Sequence, residues 1–344
     1  MAQGARSVLG ERVAVALAVR SAQEGGHDVE IPLGDIGRLP PQIGETEVDV
    51  ELEEVDPRRV LGHADKVETA SDGMGAIKFG PARMPSRESP EAAIDALLAR
   101  GLSACEVDFE GKFWMDYDFA ARLGALARDA GVALSVHAPL AGFMGHAERG
   151  KKLNMAIGML DHSAGIAAAC DAELVVFHPG FLLGRTREEA LASIVEQLAE
   201  LRERLEKKDR AVPFGVEVMG RVREIGSLED VIFIASQLHW VRPVLDFAHM
   251  HATSDGAFVG VDPFAAALEA ADGVLEQDAP FHIHFSDIQY ANRNETKHLP
   301  YGEGTLRAEP LRDALARFER PATVISESPN VESTQAIGIV LGVL

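Results

Sequence analysis

The chain has 344 residues, 47% of them apolar and 25% charged, and its 33 Lys+Arg against 54 Asp+Glu give a formal charge of -21. Such hydrophobic content excludes a disordered chain, and at roughly 150 residues per domain the length fits two domains, one of which can be a large barrel. The acid excess argues against a generally basic nucleic-acid binder but leaves room for a locally positive site.

Residues 1–70 hold seven Lys+Arg and fourteen Asp+Glu, a net of -7. Val13, Val15, Leu17 and Val19 alternate with alanines, and Val48, Val50 and Leu52 alternate with acids. This period of two predicts a small β-rich domain, with a helix over 10–23 as the rival reading because alanine favours helix. A linker follows at 71–75, around Ser71-Asp72-Gly73. No apolar run approaches the roughly 20 residues that span a bilayer, and the N-terminus has no signal-type block. Cys105 and Cys170 lie far apart in apolar stretches, which favours small buried hydrophobes over a disulfide. The expectation is a cytoplasmic monomer with no membrane contact.

From Ala76 onward, short apolar runs alternate with longer amphipathic stretches, the pattern of βα units around a parallel sheet. Strands are predicted at 76–80, 104–109, 132–137, 173–178, 213–218, 241–246, 280–285 and 322–327, each followed by a helix. Eight such units in about 270 residues match a closed (β/α)8 TIM barrel, whereas an open doubly wound sheet has fewer strands. The predicted architecture is therefore α/β, a TIM barrel over 76–344 preceded by the β-rich domain.

Barrel chemistry sits at the C-terminal ends of the strands. There the sequence places His137, His178, Glu217, Asp246, His284 and Glu327. Asp, Glu and His together are 66 of 344 residues, so six such ends in six strands are not expected by chance. Three carboxylates in a low-dielectric mouth repel one another unless a cation neutralises them, and imidazoles beside them favour Zn²⁺ or Mn²⁺ over Mg²⁺ or Ca²⁺. His249 and His298 lie within reach on adjoining segments. Eight ligands exceed what one ion uses, so at least two metals are expected. His282 shares a strand face with His284 one layer lower and reads as a hydrogen-bonded core residue.

Ser135-Val-His-Ala-Pro139, Val175-Val-Phe-His-Pro-Gly180, Leu245-Asp-Phe-Ala-His249, His284-Phe-Ser-Asp287, His298-Leu-Pro-Tyr-Gly-Glu-Gly304 and Glu327-Ser-Pro occur in this order. Together they resemble the endonuclease IV family, apurinic/apyrimidinic endonuclease family 2, over residues 76–344. The likeness is closest to archaeal-type members, which share Phe79-Gly-Pro-Ala and Glu217-Val-Met-Gly220. It implies a zinc-dependent endonuclease that cleaves DNA 5′ to abasic sites in base excision repair by a metal-bound hydroxide, with catalytic roles for Glu217, His178 and Glu327. By the same likeness His137 and His178 hold one metal, Glu217 bridges to a second held by Asp246, His284 and Glu327, and His249 and His298 hold a third. The family's aspartate for the third metal falls on Thr296, which leaves two or three ions as the expectation. The family's DNA wedge falls near Leu140, with Phe143 as a substitute.

Arg83, Lys112, Arg185 and Arg221 fall in loops after strands and are candidate substrate-binding groups, as is Glu303. Asp287 is a candidate to fix an imidazole tautomer. Two other functions compete. A xylose-isomerase-like sugar isomerase or epimerase shares the barrel and needs only Glu217, Asp246, His284 and Glu327; a non-catalytic binding protein needs none.

Overall fold

The computed structural model describes residues 75–344. The expected β-rich domain and all of the linker but Gly75 lie outside the described residues.

The predicted strands all form, within about two residues of their expected bounds. They are β1 (Ile77–Pro81), β2 (Ala104–Asp108), β3 (Ala133–His137), β4 (Val175–Phe177), β6 (Phe214–Glu217), β8 (Val241–Asp246), β9 (Phe281–Phe285) and β12 (Ala322–Ser326). All pair in parallel, in the order β1-β12-β9-β8-β6-β4-β3-β2. Strands flanked by helices outside and side chains inside are buried on both faces, which is why they read as short continuous apolar runs. Closure runs between β1 and β2: Ser103 N donates to Phe79 O at 2.9 Å and Phe79 N to Ser103 Oγ at 3.0 Å. Gly80 permits that approach, since a Cβ there would lie 1.6 Å from the Ala104 carbonyl oxygen.

The helices are started by their own sequence. Asp116 caps α2 (Tyr117–Ala130), which ends on Gly131 in the left-handed region at φ 70°. Thr186 with Glu189 forms a capping box on α4 (Arg187–Glu206), and Ser227 with Asp230 forms another on α5 (Leu228–Gln237). Each such cap contributes about 1 kcal/mol. Helices α1 (Pro90–Leu98), α3 (Lys151–Ala169), α7 (Val261–Asp272), α8 (Ala308–Leu315) and α9 (Val331–Leu341) complete the outer ring. Among the described residues no helix is long and apolar enough to cross a membrane. Cys105 and Cys170 are free and buried, and burial pushes the Cys170 thiol up to about 12.

Two features depart from the sequence reading, both at the mouth. Short strands β5 (Gly180–Phe181) and β7 (Glu224–Ile225) pair antiparallel. After β9 the chain that carries His298 forms a hairpin of β10 (Asp287–Ala291) and β11 (Asn294–Leu299). Asn292 at φ 51° and Arg293 at φ 61° make its two-residue turn, the left-handed pair that suits the twist of a tight hairpin.

Candidate metal centre

Glu217 closes β6 and is 1% exposed. Around its carboxylate stand residues from four other strand ends and a helix. Oε2 lies 3.2 Å from His137 Nε2 and 3.0 Å from His178 Nε2. Oε1 lies 3.2 Å from His284 Nδ1 and 3.6 Å from His249 Nδ1. Glu327 Oε1 reaches the same His284 Nδ1 at 3.3 Å. Burial opposes the charge on Glu217, but the rings of His178, His284 and His137 outweigh it and hold the carboxyl well below its usual range. Burial also opposes the charge on Glu327, and His284 likewise draws it down to about 2.

Asp246 ends β8 and begins α6 (Phe247–Thr253), accepting from His249 N at 2.8 Å through Oδ1. A cap bonds two or three positions into its helix, and here that geometry carries His249 back over the strand end, its Nδ1 3.0 Å from Asp246 Oδ2. Oδ2 itself has no hydrogen-bond partner although it is fully buried. Burial pushes this carboxyl well above the usual carboxylate range. An orphaned buried oxygen costs about 1–3 kcal/mol, and a cation is the partner that removes the cost.

Ring tautomers agree with that use. His137 Nδ1 is 2.9 Å from the Ala138 carbonyl and His249 Nδ1 is 2.8 Å from the Val218 carbonyl. A carbonyl only accepts, so both rings hold their proton on Nδ1 and turn Nε2 toward the centre. His298 Nδ1 lies 2.6 Å from Ser286 Oγ. Among the described residues four donor groups have ligand atoms close enough for one ion: His137, His178 and Glu217; Glu217, Asp246, His249 and Glu327; His249, Glu295 and His298; and, one layer deeper in the barrel, Glu106, His282 and His284. The donor set therefore fits divalent ions.

Glu295 escaped the sequence reading. In β10–β11 the register shifts between Gln289, which faces Lys297, and Tyr290, which faces Glu295. Thr296 is the extra residue of this β-bulge, and its hydroxyl donates to the Gln289 carbonyl at 2.9 Å. A bulge re-aims the neighbouring side chain, so Glu295 instead of Thr296 faces the centre, 2.7 Å from His249 Nε2. Gly220 makes the room, since a Cβ there would lie 2.6 Å from Glu295 Oε2. Glu295→Ala is expected to remove one metal equivalent per chain and Thr296→Ala none, by elemental analysis of the purified variants; the reverse result would return the ligand role to Thr296.

The mouth opens into a cavity of about 450 Å³ lined by His137, His178, Glu217, His298, Arg83 and Leu140 among others. Leu140 is 46% exposed. Phe143 is stacked on His146 at 4.7 Å and set edge-on to Phe181 at 5.1 Å. Most of the candidate cations are engaged within the chain. Arg83 is near Asp108 and Glu110 at 3.7 and 3.8 Å. Arg221 is near Glu224 and Glu295 at 3.7 and 3.4 Å. Arg185 bonds the Gly145 carbonyl and Ser193 Oγ, while Lys112 is exposed. Glu110, a further acid at the mouth unseen in the sequence, has its carboxyl raised by burial.

Asp287 does not touch an imidazole. Its carboxylate accepts from the backbone of Gly302, Gly304 and Leu306 at 3.1, 2.7 and 3.2 Å, and so anchors the loop that carries the exposed Glu303.

Comparison with known proteins gives a consistent frame. A family model described as xylose isomerase-like TIM barrel matches residues 94–339. An uncharacterized protein of Methanocaldococcus jannaschii, MJ0133, is 30% identical over 257 residues, 74% of this chain and 92% of that protein. A probable endonuclease 4 of Oceanobacillus iheyensis is 23% identical over 209 residues, 59% of this chain and 66% of its own length. Among solved structures, a D-tagatose 3-epimerase-like protein superposes with a TM-score of 0.62 at 20% identity, covering 77% of this chain and 96% of that one. At that identity the likeness speaks for the fold alone.

Proposed function

This chain belongs to the xylose isomerase-like TIM barrel family, and on that footing we propose that it is a metal-dependent phosphodiester hydrolase of the endonuclease IV kind, cleaving DNA 5′ to abasic sites in base excision repair. The observation that carries this reading is the set of imidazoles His137, His178, His249 and His298 gathered round Glu217 and Glu327. A one-ion sugar centre has no use for them, whereas two or three ions suit the in-line displacement of a phosphodiester. The similarity to a probable endonuclease 4 supports the same reading.

Zinc fits the mixed nitrogen and oxygen donors, with Mn²⁺ as the alternative. Such ions supply a water acidic enough to act near neutral pH and a Lewis acid for phosphate oxygens. The residues do the rest. Glu217 offers one oxygen to His137 and His178 and the other to His284, so it can join two ion positions. Asp246 and Glu327 complete the second. His178 lines the cavity, where it would hold the first ion together with His137 and Glu217. On this reading the exposed Leu140 takes the role of entering the base stack, since Phe143 is engaged with His146 and Phe181.

A second reading keeps the sugar isomerase or epimerase. It is favoured by the pairing of mouth cations with acids, Arg83 with Asp108 and Glu110 and Arg221 with Glu224 and Glu295. Such a mouth suits a neutral sugar better than a polyanion. Elemental analysis combined with nicking of abasic duplex DNA, with and without chelator, separates the two. The hydrolase reading expects two or three ions per chain, chelator-sensitive nicking, and its loss in His178→Ala. Well-metallated protein that leaves abasic DNA intact would favour the sugar enzyme.

A further inference from the structure

Beneath the metal centre the barrel interior holds a second polar group where an apolar layer is the usual filling. Glu106 on β2, Ser135 on β3 and His282 on β9 are each 1% exposed. Parallel register sets Glu106 beside Ser135, and the Ser135 hydroxyl donates to Glu106 Oε2 at 2.7 Å. The same oxygen is 3.4 Å from His282 Nε2. The other, Oε1, is 3.2 Å from Nε2 of His284, the ring whose Nδ1 lies against Glu217 and Glu327. His284 is completely buried, so water cannot take either ring proton. Without an ion present, Nδ1 is within hydrogen-bonding distance of Glu217 Oε1 at 3.2 Å, while the buried Nε2 beside Glu106 makes no hydrogen bond.

We propose that Glu106 is a positioning residue for the metal centre: it holds the His284 proton on Nε2 and thereby commits Nδ1 to the ion shared with Glu217, Asp246 and Glu327. The reasoning is one of exclusion. A neutral imidazole has one proton; were it on Nδ1, that N–H would face two carboxylates required as ligands, and Nε2 would set a lone pair against Glu106. With the proton on Nε2 both conflicts disappear. A carboxylate behind a ligating imidazole also makes the ring a stronger donor, and loss of such a group typically weakens metal binding about 10- to 100-fold. The Ser135 hydroxyl bonds Glu106 Oε2, and His282 is the second ring on the same carboxylate, set edge-on to His284 with centroids 5.6 Å apart.

The inference rests on the metal reading above, and the test separates the two. Chelator-stripped full-length protein is titrated with Co²⁺, whose visible absorption reports each ion's ligand field, in the wild type, Glu106→Gln and His282→Gln. The expected result is that Glu106→Gln binds one of the ions about 10- to 100-fold more weakly, with a changed Co²⁺ spectrum, while His282→Gln keeps every equivalent; loss of an ion in both variants would make Glu106 and His282 ligands themselves and overturn the positioning role. Unchanged affinity and spectrum in Glu106→Gln would overturn the proposal while leaving the metal centre standing. A wild type that takes up no ion would instead sink the metal reading, and this proposal with it. Should Glu106→Gln fail to fold, ¹⁵N-histidine spectra of Zn²⁺-loaded wild type decide: a proton on His284 Nε2 with the ion on Nδ1 supports the assignment, and an ion on Nε2 overturns it.

Discussion

Glu217→Gln is expected to cost two metal positions and to lower hydrolysis by about three orders of magnitude, the several kcal/mol that metal ions contribute to such a reaction. The carboxylate is 1% exposed and lies within 3.6 Å of four imidazoles. An amide of the same shape keeps one acceptor but turns an NH₂ toward rings that must offer lone pairs. Charge is lost at the same time, so divalent ions crowded at the mouth repel one another without a shared anion between them. The control is Glu303→Gln on its exposed loop, expected to retain the full metal content. Metal per chain and the rate of abasic-site nicking measure the effect. A rate within about tenfold of wild type would remove Glu217 from the centre of the chemistry.

The metal-free and metal-loaded proteins are expected to respond to pH in opposite directions. Burial disfavours the charged His137 ring, but Glu217 and Glu106 outweigh burial and push its pKa up from 6.5 to about 10; His249 and His284 are raised by the carboxylates around them in the same way. A group whose folded pKa is raised stabilises most below its unfolded value. The metal-free protein should therefore be most stable below about pH 6.5 on this account and lose stability as pH rises toward 10. Its acid limb has the other sign: Glu327, depressed from 4.5 to about 2, gives stability above 4.5 that disappears as pH falls through about 2. Ions need these rings deprotonated, so affinity should rise about tenfold per pH unit for each proton displaced. Thermal unfolding with and without chelator from about pH 6 to about pH 9 checks both signs. Parallel pH profiles would show that the imidazoles do not exchange protons for metal.

The positioning role of Glu106 and the ligand role of Glu295 share a lesson about distance along the chain. Glu106 sits inside Ala-Cys-Glu-Val-Asp, where nothing local distinguishes a buried carboxylate from an ordinary strand acid. Its meaning comes from His284, 178 positions later and across the barrel. Glu295 was concealed differently. A regular strand puts residues two apart on one face, which pairs His298 with Thr296; one bulged residue changes that parity. Arg185 and Arg221 read as loop cations for phosphate because their partners, the Gly145 carbonyl and Glu295, are remote in sequence.

The eight strands, their order of appearance and the polar residues at the ends of six of them were legible in the one-dimensional pattern. Burial on both faces forces short apolar runs, and a polar residue at the end of such a run has few places to be except the mouth. Local chemistry also dictated the helix starts, from Asp116 to Thr186 and Ser227. What needed three dimensions was every pairing between elements: which ring nitrogen faces which oxygen, which acid neutralises which arginine, and which of two neighbouring residues a bulge turns inward. Those depend on separations of a few ångströms between strands far apart in sequence, and a Coulomb or hydrogen-bond interaction falls off with distance in space, whatever the distance along the chain.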